Sequence, residues 1–83
     1  MHCEITEQAI LELLKEDDAQ GRGYSAATIA TKICGPPHSV AEADERRTEA
    51  ERSLQELVRK GALCIAGYMY LGVDKRIPRY KLA

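Results

Sequence analysis

The fold is decided by residues 54–66, LQELVRKGALCIA, where a helical pattern changes abruptly to a strand pattern. Leu54 and Leu57 precede Gly61 by seven and four residues, so both leucines lie on one side of a helix. Gly61 suits the left-handed conformation in which many helices end, and the apolar run after it is typical of a strand. The stretch therefore predicts a helix that stops at Gly61 and returns directly as a strand.

A second short strand, PRYKL, closes the sequence and predicts a β-hairpin. If residues 72–73 form a two-residue turn, Leu63 faces Leu82 and Ile65 faces Tyr80. All four side chains then lie on the same side of the hairpin, which is the arrangement expected of a face packed on a core.

Two shorter helices are predicted upstream. Apolar residues such as Ile10 and Leu13 recur at three- and four-residue spacing from about residue 5 or 6 to residue 16. Ser25 is a good N-cap for a second helix over residues 26–33, which the following Gly-Pro-Pro sequence would end.

The start of the third helix has two candidates. Ser39 with Glu42 forms a capping box and gives a helix of about 21 residues, whereas a start at Asp44 gives about 16. The chain is thus expected to be one α+β domain over residues 1–83, with three helices followed by a two-stranded hairpin. Its core is predicted to contain Ile10, Leu13, Ile29, Ile33, Leu54, Leu57, Leu63, Ile65, Tyr80 and Leu82.

Composition agrees with a small soluble domain. Apolar residues make up 45% and charged residues 30% of the 83 residues, and the two signs of charge are mixed. A chain of this size buries only about 60% of its unfolded surface, so one modest core is expected. Because Trp and Phe are absent, that core must be mainly aliphatic.

The net charge of −1 hides an asymmetry. Residues 1–42 carry three basic and seven acidic side chains, whereas residues 43–83 carry nine basic and six acidic ones. The positive half contains the third helix and the hairpin. Such a distribution is compatible with a nucleic-acid surface in that half.

The three cysteines, Cys3, Cys34 and Cys64, are an odd number without paired spacing. We therefore expect them to be reduced and the protein to be cytoplasmic. The N-terminus has no basic segment followed by an apolar stretch, and the most apolar run, at residues 62–73, is broken by two glycines, so neither a signal peptide nor a membrane span is expected. The set His2, Cys3, Cys34 and His38 lacks the tight pairing usual among zinc ligands, so no metal site is expected. No catalytic motif or cofactor-binding motif is present, which predicts that the protein is not an enzyme.

Three segments resemble the winged helix-turn-helix family. They are residues 23–30, GYSAATIA, residues 54–63, LQELVRKGAL, and residues 79–82, RYKL. In DNA-binding members of that family the third helix enters the major groove, so the resemblance implies that its exposed early and middle residues read duplex DNA. These are Arg46, Arg47, Thr48, Glu49, Arg52 and Ser53.

The hairpin supplies a second set of candidate contacts. Four basic residues occur within seven positions and would make a wing that grips the phosphate backbone: Lys75, Arg76, Arg79 and Lys81. Together with Arg46, Arg47, Thr48 and Arg52 they form the predicted DNA-binding site. The implied function is a transcriptional regulator that binds duplex DNA.

An alternative function follows from the acids of the third helix. Its arginines can pair with glutamates three or four residues away, and its acids would oppose phosphate. A winged helix that binds another protein, without DNA, is therefore the rival interpretation. The apolar run at residues 68–71 also needs a cover, for which the N-terminal segment or a second copy in a homodimer are the candidates.

Overall fold

A computed structural model describes residues 3–17 and 19–83, with Ala19 described by its backbone alone. The predicted fold class is confirmed, because three helices are followed by an antiparallel two-stranded hairpin, the layout of a small winged helix. A short 3₁₀ turn at Ala19–Gly21 lies between the first two helices. The elements are α1 (Glu7–Glu16), α2 (Ala26–Cys34), α3 (Val40–Arg59), β1 (Leu63–Tyr70) and β2 (Arg76–Leu82).

The helix starts follow from side-chain caps. Ser25 accepts a hydrogen bond from the Thr28 N–H at the start of α2. Ser39 accepts one from the Glu42 N–H at 3.1 Å, so α3 begins at the earlier of its two predicted starts and has 20 residues. The Glu42 carboxylate accepts a further bond from the His38 N–H at 3.0 Å, which fixes the loop that precedes α3.

The hairpin register was predicted correctly at its base and wrongly at its turn. Leu63 pairs with Leu82 and Ile65 with Tyr80, as expected. A bulge at Ala66 then shifts the pairing by one residue, and β1 and β2 are joined by residues 71–75 instead of a two-residue turn. Because of the bulge, the wing beyond it does not repeat the predicted alternation.

The core is built from aliphatic side chains of all three helices and the base of the hairpin. Six of the ten predicted core residues are buried: Ile10, Ile29, Leu54, Leu57, Leu63 and Tyr80. Leu13, Ile33 and Leu82 are partly buried and pack against the core at its edge. Ile65 was predicted wrongly, because it lies next to the bulge and is 44% exposed.

The loop before α2 is joined to the hairpin by backbone hydrogen bonds. Tyr24 and Tyr80 exchange N–H···O bonds of 3.0 and 2.8 Å, so Tyr24 adds a single bridge to the outer edge of β2. Gly23 makes this approach possible, since a Cβ there would lie 2.5 Å from the Tyr80 carbonyl oxygen. This bridge places the start of α2 beside the wing.

Two of the cysteines form a disulfide, which corrects the prediction that all three are reduced. Cys3 is bonded to Cys34 at the end of α2, with a Cα–Cα distance of 5.8 Å, and Cys64 has a free thiol. The two residues are 31 positions apart, so no local spacing motif indicated that they would pair. The cysteine count therefore no longer argues for a reducing compartment.

The N-terminal segment lies against α3. The Ile5 side chain is buried, its N–H donates to Glu49 at 3.5 Å, and its carbonyl accepts from Ser53 at 3.2 Å. These contacts hold the described part of the segment on the helix, and Tyr68 and Tyr70 of the wing are left exposed. Among the described residues, no helix is long and apolar enough to cross a membrane.

Candidate nucleic-acid interface

Arg46 is directed into the protein and supports the loop before α3. Its guanidinium pairs with Glu42 and donates to the Gly35 carbonyl oxygen at 3.4 Å. Only 18% of the Arg46 side chain is exposed. Both contacts hold α3 against the preceding loop. The Arg46 guanidinium, which was predicted to contact DNA, is therefore already bound within its own chain.

Arg47 and Thr48 are exposed but also engaged within α3. Arg47 lies 3.5 Å from Asp44 and 3.3 Å from Glu51, the helical spacings at which opposite charges meet. The Thr48 hydroxyl donates to the Asp44 carbonyl oxygen at 2.8 Å, a bond within the same helix. The pairing with neighbouring acids, which the sequence left open, is therefore present at Arg47.

Arg52 lacks an ion-pair partner among the described residues, yet acids surround it. It lines an open groove on α3 together with Asp44, Glu45, Thr48 and Glu49. Over its full length α3 carries six acidic and four basic side chains. The outer surface of this helix would therefore repel a phosphate backbone more than attract one.

At the end of α3 the charges are again paired. Arg59 hydrogen-bonds Glu56, and this contact lowers the pKa of the Glu56 carboxyl below its ordinary value. Lys60 lies 2.9 Å from Glu7 of α1. These exposed pairs stabilise the fold little, but they leave few uncommitted cations on α3.

On the wing, unlike on α3, most basic side chains lack a partner of opposite charge among the described residues. In the part of the chain that the structure describes, Lys75, Arg79 and Lys81 have no ion-pair partner, and Arg76 lies over the Tyr68 ring at 4.7 Å. Since side chains alternate along a strand, Arg79 and Lys81 share one side of β2 and Arg76 lies on the other. The four predicted contacts therefore do not form one flat patch.

Arg79 lies at a groove between α2 and the wing, which we call the α2–wing groove. It encloses about 320 Å³ and is lined by Arg22, Gly23, Tyr24, Ser25, Thr28, Met69 and Arg79. The lining contains two arginines, hydroxyl groups and no acid. Guanidinium and hydroxyl groups are the side-chain donors that proteins direct at phosphate oxygens.

A third cation borders this groove. The Lys32 ammonium lies 4.8 Å from the centre of the Tyr24 ring and 3.6 Å from Asp17. Burial raises the pKa of the neighbouring Tyr80 phenol above its ordinary value. Because Lys32 is paired with Asp17, the positive charge of the groove comes chiefly from Arg22 and Arg79.

Arg22 and Lys32 were not among the contacts predicted from the sequence. A usable signal was present, because residues 19–41 contain two basic side chains and no acid, and residues 75–83 contain four basic side chains and no acid. The sequence alone did not show that these two runs lie side by side in the fold. The Tyr24–Tyr80 bridge brings the start of α2 to the edge of β2.

The residues considered as metal ligands do not come together as a metal site in the described part of the chain. Two of them, Cys3 and Cys34, are joined to each other, and His2 lies outside the described residues. No group of three potential ligands is found in residues 3–17 and 19–83.

No protein-family model, curated protein or solved structure matches this chain significantly.

Proposed function

We propose that this chain is a small winged-helix protein that binds duplex DNA, with the phosphate backbone lying against the α2–wing groove. The observation that carries the proposal is the contrast between two surfaces. Among the described residues, Arg22 and Arg79 of the groove have no ion-pair partner and no acid lines the groove, whereas the arginines of α3 lie among acids. Phosphate contact requires cations whose charge is not already neutralised.

The proposal changes the roles first assigned to the predicted contacts. Arg79 and Lys81 contact phosphate beside the groove, and Lys75 and Arg76 do so near the end of the wing. Arg46 supports the loop before α3, and Arg52 is the α3 arginine with no partner among the described residues. Transcriptional regulation is the use that fits such a protein, and a DNA-binding role is also the remaining argument for a cytoplasmic location.

Binding to random-sequence duplex DNA should weaken steeply with salt. Each phosphate-contacting cation contributes roughly 0.9 to the slope of log K against log salt. With about four to six such contacts, affinity should fall roughly 100- to 1,000-fold between about 50 and 200 mM salt. Fluorescence anisotropy with a labelled duplex measures this slope. Absence of salt-sensitive binding even at low ionic strength would contradict the proposal.

A protein partner for α3 is the second candidate function. The groove around Arg52 is lined by three carboxylates and the Thr48 hydroxyl, which suits a basic peptide better than DNA. If wild type fails to bind DNA, this interpretation takes precedence. Charge reversal of Glu45 to lysine should then weaken binding to a basic protein partner without affecting the wing, and Glu49 is kept because it accepts the Ile5 N–H.

A further inference from the structure

The end of the wing carries large apolar side chains that nothing in the described fold covers. All seven residues from Tyr70 to Arg76 are exposed; we call them the wing tip. Tyr70 is 69% exposed, Leu71 is 55% exposed, and Val73 is fully exposed. Scattered apolar residues on a surface are ordinary, but three within four positions at the end of a hairpin form a patch.

Turn chemistry does not account for these side chains. The loop is closed by a hydrogen bond from the Leu71 N–H to the Lys75 carbonyl oxygen at 2.9 Å, and Gly72 supplies the positive φ of 98° that the turn requires. Polar residues such as Asn, Asp and Ser are the usual choice at the other turn positions. Leu71 and Val73 are required neither by the turn nor by the core.

The charges around the wing tip favour a negatively charged partner. Lys75 and Arg76 belong to the tip, and only Asp74 opposes them there. Further along β2, on the side opposite Arg76, Arg79 adds positive charge next to Arg22 in the α2–wing groove. A partner must therefore offer apolar surface at the tip and negative charge on both sides of it. Duplex DNA does so, with stacked bases between two phosphate backbones.

We propose that the wing tip enters the minor groove of duplex DNA and inserts Leu71 or Val73 between two base pairs, unstacking that step. This inference rests on the proposed DNA-binding function. Proteins that insert leucine, isoleucine or similar side chains in this way offset the cost of unstacking with contacts made along the bent duplex. Here the cations beside the tip and in the groove make those contacts.

Insertion can be tested by replacing both side chains with serine. Leu71→Ser with Val73→Ser should raise the Kd for duplex DNA on the order of tenfold while leaving the salt slope unchanged, because apolar contact is lost and phosphate contact is kept. A fluorescent adenine analogue placed in the duplex should brighten when wild type binds, since unstacking relieves quenching, and should not brighten with the variant. Val40→Ser is the matched control, because Val40 is also exposed but lies at the start of α3.

A second measurement does not depend on any variant. Wild type should bind a duplex containing one mismatch more tightly than the fully paired duplex, because a step that is already loosened costs less to unstack. Equal binding of both duplexes by wild type would overturn the insertion.

The outcomes separate the two proposals. Wild type that does not bind DNA removes the DNA-binding function and the insertion with it. Salt-sensitive binding that is identical in wild type and the tip variant, with no brightening of the base analogue, removes the insertion alone. If the variant instead loses binding to anionic lipid vesicles, or loses a dimer seen by light scattering, the tip serves a membrane or a second copy and the insertion is wrong.

Discussion

Leu54→Ala is expected to lower the free energy of unfolding by about 2–5 kcal/mol. Leu54 is completely buried in α3, among the core side chains that α1, α2 and the hairpin contribute. Removing three carbon atoms there loses apolar burial and leaves a cavity that close-packed neighbours fill only partly. For a protein of this size the loss is a large share of the total stability.

Urea denaturation followed by circular dichroism measures this change. Gln55→Ala is the matched control, because Gln55 is the next residue of the same helix and is exposed. The control should change stability by no more than about 0.5 kcal/mol. A loss below about 1 kcal/mol for Leu54→Ala would mean that α3 does not pack as described.

Replacing both Cys3 and Cys34 with serine is expected to cost about 3–4 kcal/mol. The bond joins residues 31 positions apart, and closing a loop of that length removes conformational entropy from the unfolded chain. For a domain of this size the loss corresponds to a decrease in Tm of more than about 10 °C. Dithiothreitol should lower the Tm of wild type to a similar value and leave the double variant unchanged.

Cys64→Ser provides the control for the disulfide prediction. Cys64 has a free thiol, so this variant should keep both the high Tm of wild type and its sensitivity to dithiothreitol. Thiol titration of the unfolded protein gives an independent answer. Three reactive thiols in the purified protein, with a Tm indifferent to reductant, would contradict the disulfide and restore the original expectation of reduced cysteines.

Much of the fold was predictable because local signals agreed with one another. Leu54, Leu57 and Gly61 predicted the end of α3 and the start of β1, and Ser39 with Glu42 marked the true start of α3. The register at the base of the hairpin followed from the need to place Leu63 and Tyr80 on the core side. Each of these inferences depends on residues close in sequence or on a simple alternation.

The errors arose where distant parts of the chain meet. The bulge at Ala66 lies beside Gly23, where an added Cβ would be 3.2 Å from the Ala66 Cβ, and it leaves Ile65 exposed. The bond between Cys3 and Cys34 likewise depends on the N-terminal segment lying across α3. No periodic pattern encodes such contacts, because they are decided by tertiary packing.

The candidate site was predictable where it depends on local spacing and unpredictable where it depends on contacts between distant segments. The basic residues of β2 could be recognised from their spacing, and Arg79 does line a groove. The emphasis on α3 came from a family resemblance, whereas the acids three and four residues from its arginines engage Arg46 and Arg47 here. Arg22 was missed because only the bridge between Tyr24 and Tyr80 brings it to the wing.

The proposal that the phosphate backbone lies against the α2–wing groove, and not against α3, can be tested with two double variants of equal charge. Arg22→Gln with Arg79→Gln removes the arginines of the groove. Arg47→Gln with Arg52→Gln removes the same charge from the exposed surface of α3.

The measurement is fluorescence anisotropy with one random-sequence duplex at several salt concentrations, after confirming that both variants keep the wild-type Tm. We expect the groove variant to lower the slope of log K against log salt by about two units and the α3 variant to lower it by less than about one. A decrease of about two units in the α3 variant, with the slope of the groove variant unchanged, would show that α3 holds the phosphate backbone instead.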